Sequence, residues 1–126
     1  MNLEHILELY KADSRVHRIA KRLKGADLAL LSTKGMIGAQ QVLVMEAART
    51  LVDQCFMVIA SDKEEAAFWF NDLSRICAKE VLFFPDSYRR PGGFDKLDRT
   101  NILQRTETVS KMVRFKNHIP FVGTYP

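Results

Sequence analysis

The segment Ser32-Thr33-Lys34-Gly35-Met36-Ile37-Gly38-Ala39-Gln40-Gln41 comes nearest to a known chemistry in its residue types and spacing. Its glycines stand just ahead of an apolar, helix-like run. That is the setting in which backbone N–H groups curl around a phosphate. A working phosphate loop has the form G-x-x-x-x-G-K-[ST]: the lysine meets the β and γ phosphates, and the hydroxyl binds Mg²⁺. With Gly38 as the last glycine, the lysine position holds Ala39, the hydroxyl position holds Gln40 and the first glycine is Thr33. Lys34 lies upstream, in the wrong part of the loop. The shape that survives can offer amides and a helix dipole to a weakly held anion, but it lacks the groups that bind and hydrolyse a nucleotide. Asp62 and Asp86 follow apolar runs, where a Mg²⁺ ligand would stand. They read more simply as a helix cap and a turn residue.

A second cluster is basic and aromatic. Tyr88, Arg89 and Arg90 lie in a Pro- and Gly-rich stretch that also holds Phe94, and Arg99 and Arg105 follow on a helical segment. Arginines interleaved with aromatics can hold phosphates and stack on bases. The same loop could equally dock another domain, and both readings stay open. His5, His17 and His118 have no cysteine or carboxylate at metal-ligand spacing, so no metal site is assigned. Ser32, Thr33 and Cys77 lack a nucleophile–base motif. Cys55 and Cys77 do not form a CxxC pair. Each sits in an apolar segment and reads as a buried structural thiol. Trp69 and Phe70 read as core residues.

The elements that position these residues follow from hydrophobic periodicity. Leu3, Ile6, Leu7 and Tyr10 mark one helical face, and Val16, Ile19, Ala20 and Leu23 mark another. Asp13 or Ser14 offers the cap between the two helices, and Gly25 ends the second. Leu28-Ala29-Leu30-Leu31 is a continuous apolar run of the kind that fits a strand covered on both faces. Val42–Val52 reads as a helix with Val44, Ala48, Leu51 and Val52 toward the core. Residues 55–60 read as a second strand. Ser61 with Glu64 reads as a capping box, opening a helix that buries Ala66, Trp69, Phe70, Leu73 and Cys77. Residues 81–84 form a third strand. A long helix from about Lys96 to Phe115 carries Ile102, Val109, Met112 and Val113 on its apolar side. Residues 119–124 form a fourth strand, central in character.

The order β-α-β-α-β-α-β predicts an α/β domain with a parallel sheet of about four strands and helices on both faces. Residues 1–24 form a helical pair packed on the α/β domain of residues 25–126. A chain that stops directly after a central strand reads as truncated at its C-terminal end.

The 126 residues are 47% hydrophobic and 27% charged, the balance of one ordinary globular domain. Neither a leader-like start nor an apolar stretch of membrane-spanning length is seen, so a cytoplasmic protein without a membrane partner is expected. Charge is uneven although the net is only +4. Residues 11–24 carry Lys11, Arg15, Arg18, Lys21, Arg22 and Lys24 against Asp13. Residues 85–116 are also basic, and residues 46–72 are acidic. Such blocks can steer a nucleic acid or an acidic partner, or simply form solvated helix faces.

The stripped loop Gly35-Met36-Ile37-Gly38-Ala39 carries a resemblance together with Ser61–Leu73 (SDKEEAAFWFNDL), Val81–Arg90 (VLFFPDSYRR), Arg105-Thr106-Glu107 and the close Gly123-Thr124-Tyr125-Pro126. Their order and spacing resemble the N-terminal segment of the bacterial transcription-repair coupling factor (Mfd) family, in Bacteroidetes-like versions. The resemblance covers most of the chain. It implies a UvrB-like, P-loop-NTPase/helicase-like α/β fold with a degenerate phosphate loop, no catalytic residue and no cofactor. The parent implied is an ATP-dependent DNA translocase that displaces stalled RNA polymerase and recruits UvrA for DNA repair. Those contacts, and that to double-stranded DNA, belong mostly to other domains. The partner implied for this segment is the rest of the same polypeptide.

Overall fold

The computed structural model describes all residues except 1, 26, 53, 87–98, 116–120 and 126. Its elements run α1 (Leu3–Ala12), α2 (Ser14–Lys24), α3 (Gln40–Val52), β1 (Phe56–Ile59), α4 (Lys63–Ile76), β2 (Val81–Phe84), α5 (Arg99–Phe115) and β3 (Phe121–Thr124). The described residues thus form an α/β structure with a three-stranded parallel sheet in the order β1-β3-β2. As its apolar character predicts, β3 is the central strand.

The alternation of side chains along each strand decides what covers the sheet. Val58 and Val81 join Leu73 of α4 and Val42 of α3 in one buried cluster. On the same face Phe83 stacks near Phe70 and Tyr125, with ring centroids at 5.5 and 6.1 Å. The other face belongs to α5, whose Arg105 guanidinium lies 4.0 Å from the centre of the Phe84 ring. Helices therefore cover β2 from both sides, which is why its run of apolar residues needs no polar alternation. A second core joins the leading helices to α3: Val16, Ala47 and Ala48 are buried together with Leu7, Tyr10, Ile19, Val44 and Leu51 around them.

Three expectations are corrected. The run Leu28–Leu31 is not a strand. Leu28 and Leu30 are wholly exposed, and the segment pairs with no strand among the described residues. A strand needs a neighbour to take its backbone hydrogen bonds, and this run lacks the β-branched and aromatic residues that favour pairing. The sheet accordingly has three described strands, not four.

The long helix begins, among the described residues, at Arg99, and its apolar stripe faces away from the sheet. Ile102, Val109 and Val113 are exposed, while Thr108 is buried. The packed side is polar because the end of β2 presents carbonyls that need donors. Thr108 Oγ1 donates to the Phe83 carbonyl at 2.6 Å, and Arg105 Nη1 to that of Pro85 at 2.6 Å. Asn101 Nδ2 donates to the Asp86 carbonyl at 3.4 Å.

Cys55 is exposed rather than buried, and Cys77 is half-buried at the C-cap of α4. Smaller differences concern caps. Gly25 ends α2 in an extended conformation, not a left-handed one. At α4 the cap is Asp62, whose side chain accepts the Glu65 N–H at 2.8 Å. Glu65 reaches back to the Ser61 N–H at 2.7 Å, one residue ahead of the cap, so the Ser61–Glu64 capping box is replaced by an Asp62 cap with Glu65 holding the preceding amide.

Candidate functional site

The glycine-bearing loop lies against the corner where α1 turns into α2. Asp13 forms that corner and caps α2, accepting the Arg15 N–H at 2.7 Å. The Arg15 guanidinium then folds back onto the same carboxylate, with Nη2 to Oδ2 at 2.6 Å. These hydrogen bonds, first that from the Arg15 side chain, hold the Asp13 carboxyl down at about 2. Between this corner and the loop opens a cleft of about 510 Å³. Thr33, Lys34, Gly35 and Gln40 line it from the loop, and Tyr10, Asp13 and Arg15 from the helices.

The loop turns through two left-handed glycines. Gly35 and Gly38 have φ of 79° and 55°, the left-handed region that glycine enters without a Cβ penalty. No atom lies within 4 Å of where a Cβ would sit on either. Their role is therefore conformational and not one of close backbone approach. At the entry to α3 the Ile37 N–H donates to Gln40 Oε1 at 3.0 Å, and the Gln40 N–H donates to the Ile37 carbonyl at 3.3 Å. The side chain that replaces the phosphate-loop hydroxyl thus supplies an internal acceptor to the turn. The carbonyl of Ala39 accepts the Leu43 N–H at 3.1 Å. Thr33, Lys34, Gly35 and Gln40 are brought to one cleft, whereas Gly38 and Ala39 serve to start the helix. The loop follows an exposed segment that pairs with no strand among the described residues, so its position relative to the sheet is not that of a nucleotide loop.

The basic strand-end group is only partly described. Tyr88, Arg89, Arg90 and Phe94 lie outside the described residues. Arg99 is exposed at the start of α5. Arg105 is half-buried, held by the Pro85 carbonyl and the face of Phe84, so its guanidinium serves helix-to-strand packing. Asp62 caps α4, and Asp86 offers its carbonyl to Asn101. Among the described residues, no group of three or more His, Cys, Asp and Glu side chains is gathered. His5 and His17 are exposed; His118 lies outside the described residues.

One polar cluster has no counterpart in the sequence reading. Glu46 and Arg49 are buried within α3 as an ion pair, and the Cys77 thiol donates to Glu46 Oε2 at 3.3 Å. Burial, followed by the Glu46 carboxylate, pushes the Cys77 thiol up to about 12. An acid and a base three residues apart inside the apolar run VLVMEAARTLV was the available signal. A thiol so protonated is no nucleophile, so the cluster reads as structural.

No helix among the described residues is long and apolar enough to cross a membrane. Comparison of the chain with family models, with curated proteins and with solved structures finds no match.

Proposed function

We propose that the chain is the non-catalytic, UvrB-like N-terminal domain of a transcription-repair coupling factor. Its work in transcription-coupled DNA repair is to scaffold neighbouring domains and contact the rest of the polypeptide. ATP binding and hydrolysis fall to other domains of the parent translocase, and engagement of UvrA, RNA polymerase and double-stranded DNA falls mostly to them. The observation that carries the non-catalytic reading is the hydrogen bond from the Ile37 N–H to the Gln40 side chain. A phosphate loop leaves such amides free for its ligand. Here the residue at the Mg²⁺-hydroxyl position takes the amide, and Ala39 leaves no lysine to meet the phosphates. The family reading is supported by the resemblance of motif order and spacing, and by the helix-covered parallel sheet.

Calorimetric titration with ATP and Mg²⁺ tests the first half: no saturable heat is expected, and clear saturation would overturn it. The second half is tested by the coding frame downstream of Pro126. An intact G-x-x-x-x-G-K-[ST] motor there supports a coupling factor, and an immediate stop codon counts decisively against one.

A further inference from the structure

Helix α2 has two unlike sides. Val16 and Ala20 are buried, and Ile19 and Leu23 are half-buried against the rest of the fold. Every exposed residue on it is polar: Ser14, Arg15, His17, Arg18, Lys21, Arg22 and Lys24. At 100° per residue, Arg18 and Lys21 fall at the middle of the outward face, with Arg22 and Arg15 together toward one border and Lys24 on the other. Among the described residues, Arg18, Lys21, Arg22 and Lys24 make no ion pair or side-chain hydrogen bond. The carboxylates next to α2 along the chain are Asp13, bound to Arg15, and Asp27 beyond the helix end, and on α1 Glu8 is paired with Lys11. The Arg15 border meets the loop cleft, whose far wall carries Lys34.

We propose that this face of α2, extended by Lys34, is a binding surface for the phosphate backbone of double-stranded nucleic acid. Four cations without carboxylate partners on one rigid helix form a row of positive charge that self-repels unless anions lie along it. Three partner classes carry regularly spaced anions, and the surface separates them. A lipid surface is reached by a helix that also inserts its apolar side, but the apolar side of α2 is already packed on α3. A protein interface is built around a buried apolar or aromatic centre, and the outward face of α2 has none. Nucleic-acid interfaces are the polar and strongly positive ones, and arginine and lysine on a helix suit phosphate contacts that carry no sequence preference. The proposal does not involve Arg89 or Arg90, and it is independent of the coupling-factor reading.

The test is fluorescence anisotropy of the whole 126-residue chain with a labelled duplex of about 20 base pairs, over a series of salt concentrations. Binding is expected at low salt, with no sequence preference and a linear fall of log K with log salt. The triple variant Arg18→Gln, Lys21→Gln, Arg22→Gln keeps helix-compatible residues, and its fold is checked by circular dichroism. It should bind at least ~10-fold more weakly, with a salt slope shallower by about 2 to 3. The variant Arg18→Lys, Arg22→Lys keeps the charges and should retain the parental slope. Absence of binding at low salt would sink the proposal. So would a folded triple variant that binds like the parent, or polyglutamate or anionic vesicles competing as well as unlabelled duplex at equal charge.

Discussion

Glu46 and Arg49 meet inside α3 through two hydrogen bonds, Nε to Oε2 at 2.7 Å and Nη2 to Oε1 at 2.9 Å. Both side chains are almost wholly buried. Each neutralises the other's charge, and a buried charge that loses its counter-ion is far costlier than a buried pair. Removing one partner by Glu46→Leu or Arg49→Met should destabilise the fold by about 3 to 5 kcal/mol. Replacing both with apolar residues should recover most of that loss. Urea denaturation of the two single variants and the double variant checks this. Additive losses would show that the pair is not coupled.

Asp13 gives the leading helices an acid-sensitive joint. Its folded pKa of about 2 lies below the ordinary 3.8. Its contribution is therefore present above about pH 4 and is lost as pH falls through 2. Glu65, lowered chiefly by the Ser61 N–H, acts in the same direction at the start of α4. NMR titration of the Asp13 carboxyl should give a midpoint near 2. In Asp13→Asn the α2 amides should lose their pH response over this range. A midpoint near 3.8 would mean that Arg15 does not hold the carboxylate in solution.

The two thiols should separate cleanly by reactivity. Cys55 is exposed and should be alkylated by iodoacetamide in the native state. Cys77, protonated up to about 12, should react only when the chain unfolds. The sign for stability follows. The contribution of Cys77 is complete below the ordinary thiol value of 9.0 and declines as pH rises toward 12. Mass spectrometry after brief alkylation checks the order, and equal labelling of both thiols would contradict it.

At the glycine-bearing loop, Gly38→Ala places a Cβ at φ +55° in open space. The cost is then backbone strain alone, about 1 to 2 kcal/mol. Gln40→Ala removes the acceptor of the Ile37 N–H, so hydrogen exchange of that amide should speed up while the global melting temperature changes little. Unchanged exchange would mean that water serves the Ile37 amide as well as Gln40 does.

Much of the architecture is legible from periodicity. The leading helices, α3, α4 and the three described strands all stand where apolar spacing puts them, within a residue or two at the ends. The errors share one cause: apolarity alone does not say what an element packs on. Leu28–Leu31 is as apolar as β2, yet without a paired neighbour it stays exposed. The stripe Ile102, Val109 and Val113 has the right period for a core face. Three carbonyls at and beyond the end of β2 instead draw Asn101, Arg105 and Thr108 inward. The demand for those donors arises on another segment and leaves no mark within the helix. At the loop, the missing lysine and hydroxyl could be read residue by residue. That Gln40 would turn back onto Ile37 could not, because it depends on the glycine dihedrals.

The strand order has a kinetic consequence. Among the described residues β1 and β2 do not pair with each other; each pairs with the central β3, joining residues 56–59 and 81–84 to residues 121–124. During synthesis the first two strands therefore emerge with no sheet to join. The helices α1 to α3 can already collapse on one another, but the parallel ladder must wait until Phe121–Thr124 has left the ribosome. Loop closure over such separations is slow. Through that interval Phe56–Ile59 and Val81–Phe84 are unpaired apolar strands, the segments most in need of a chaperone.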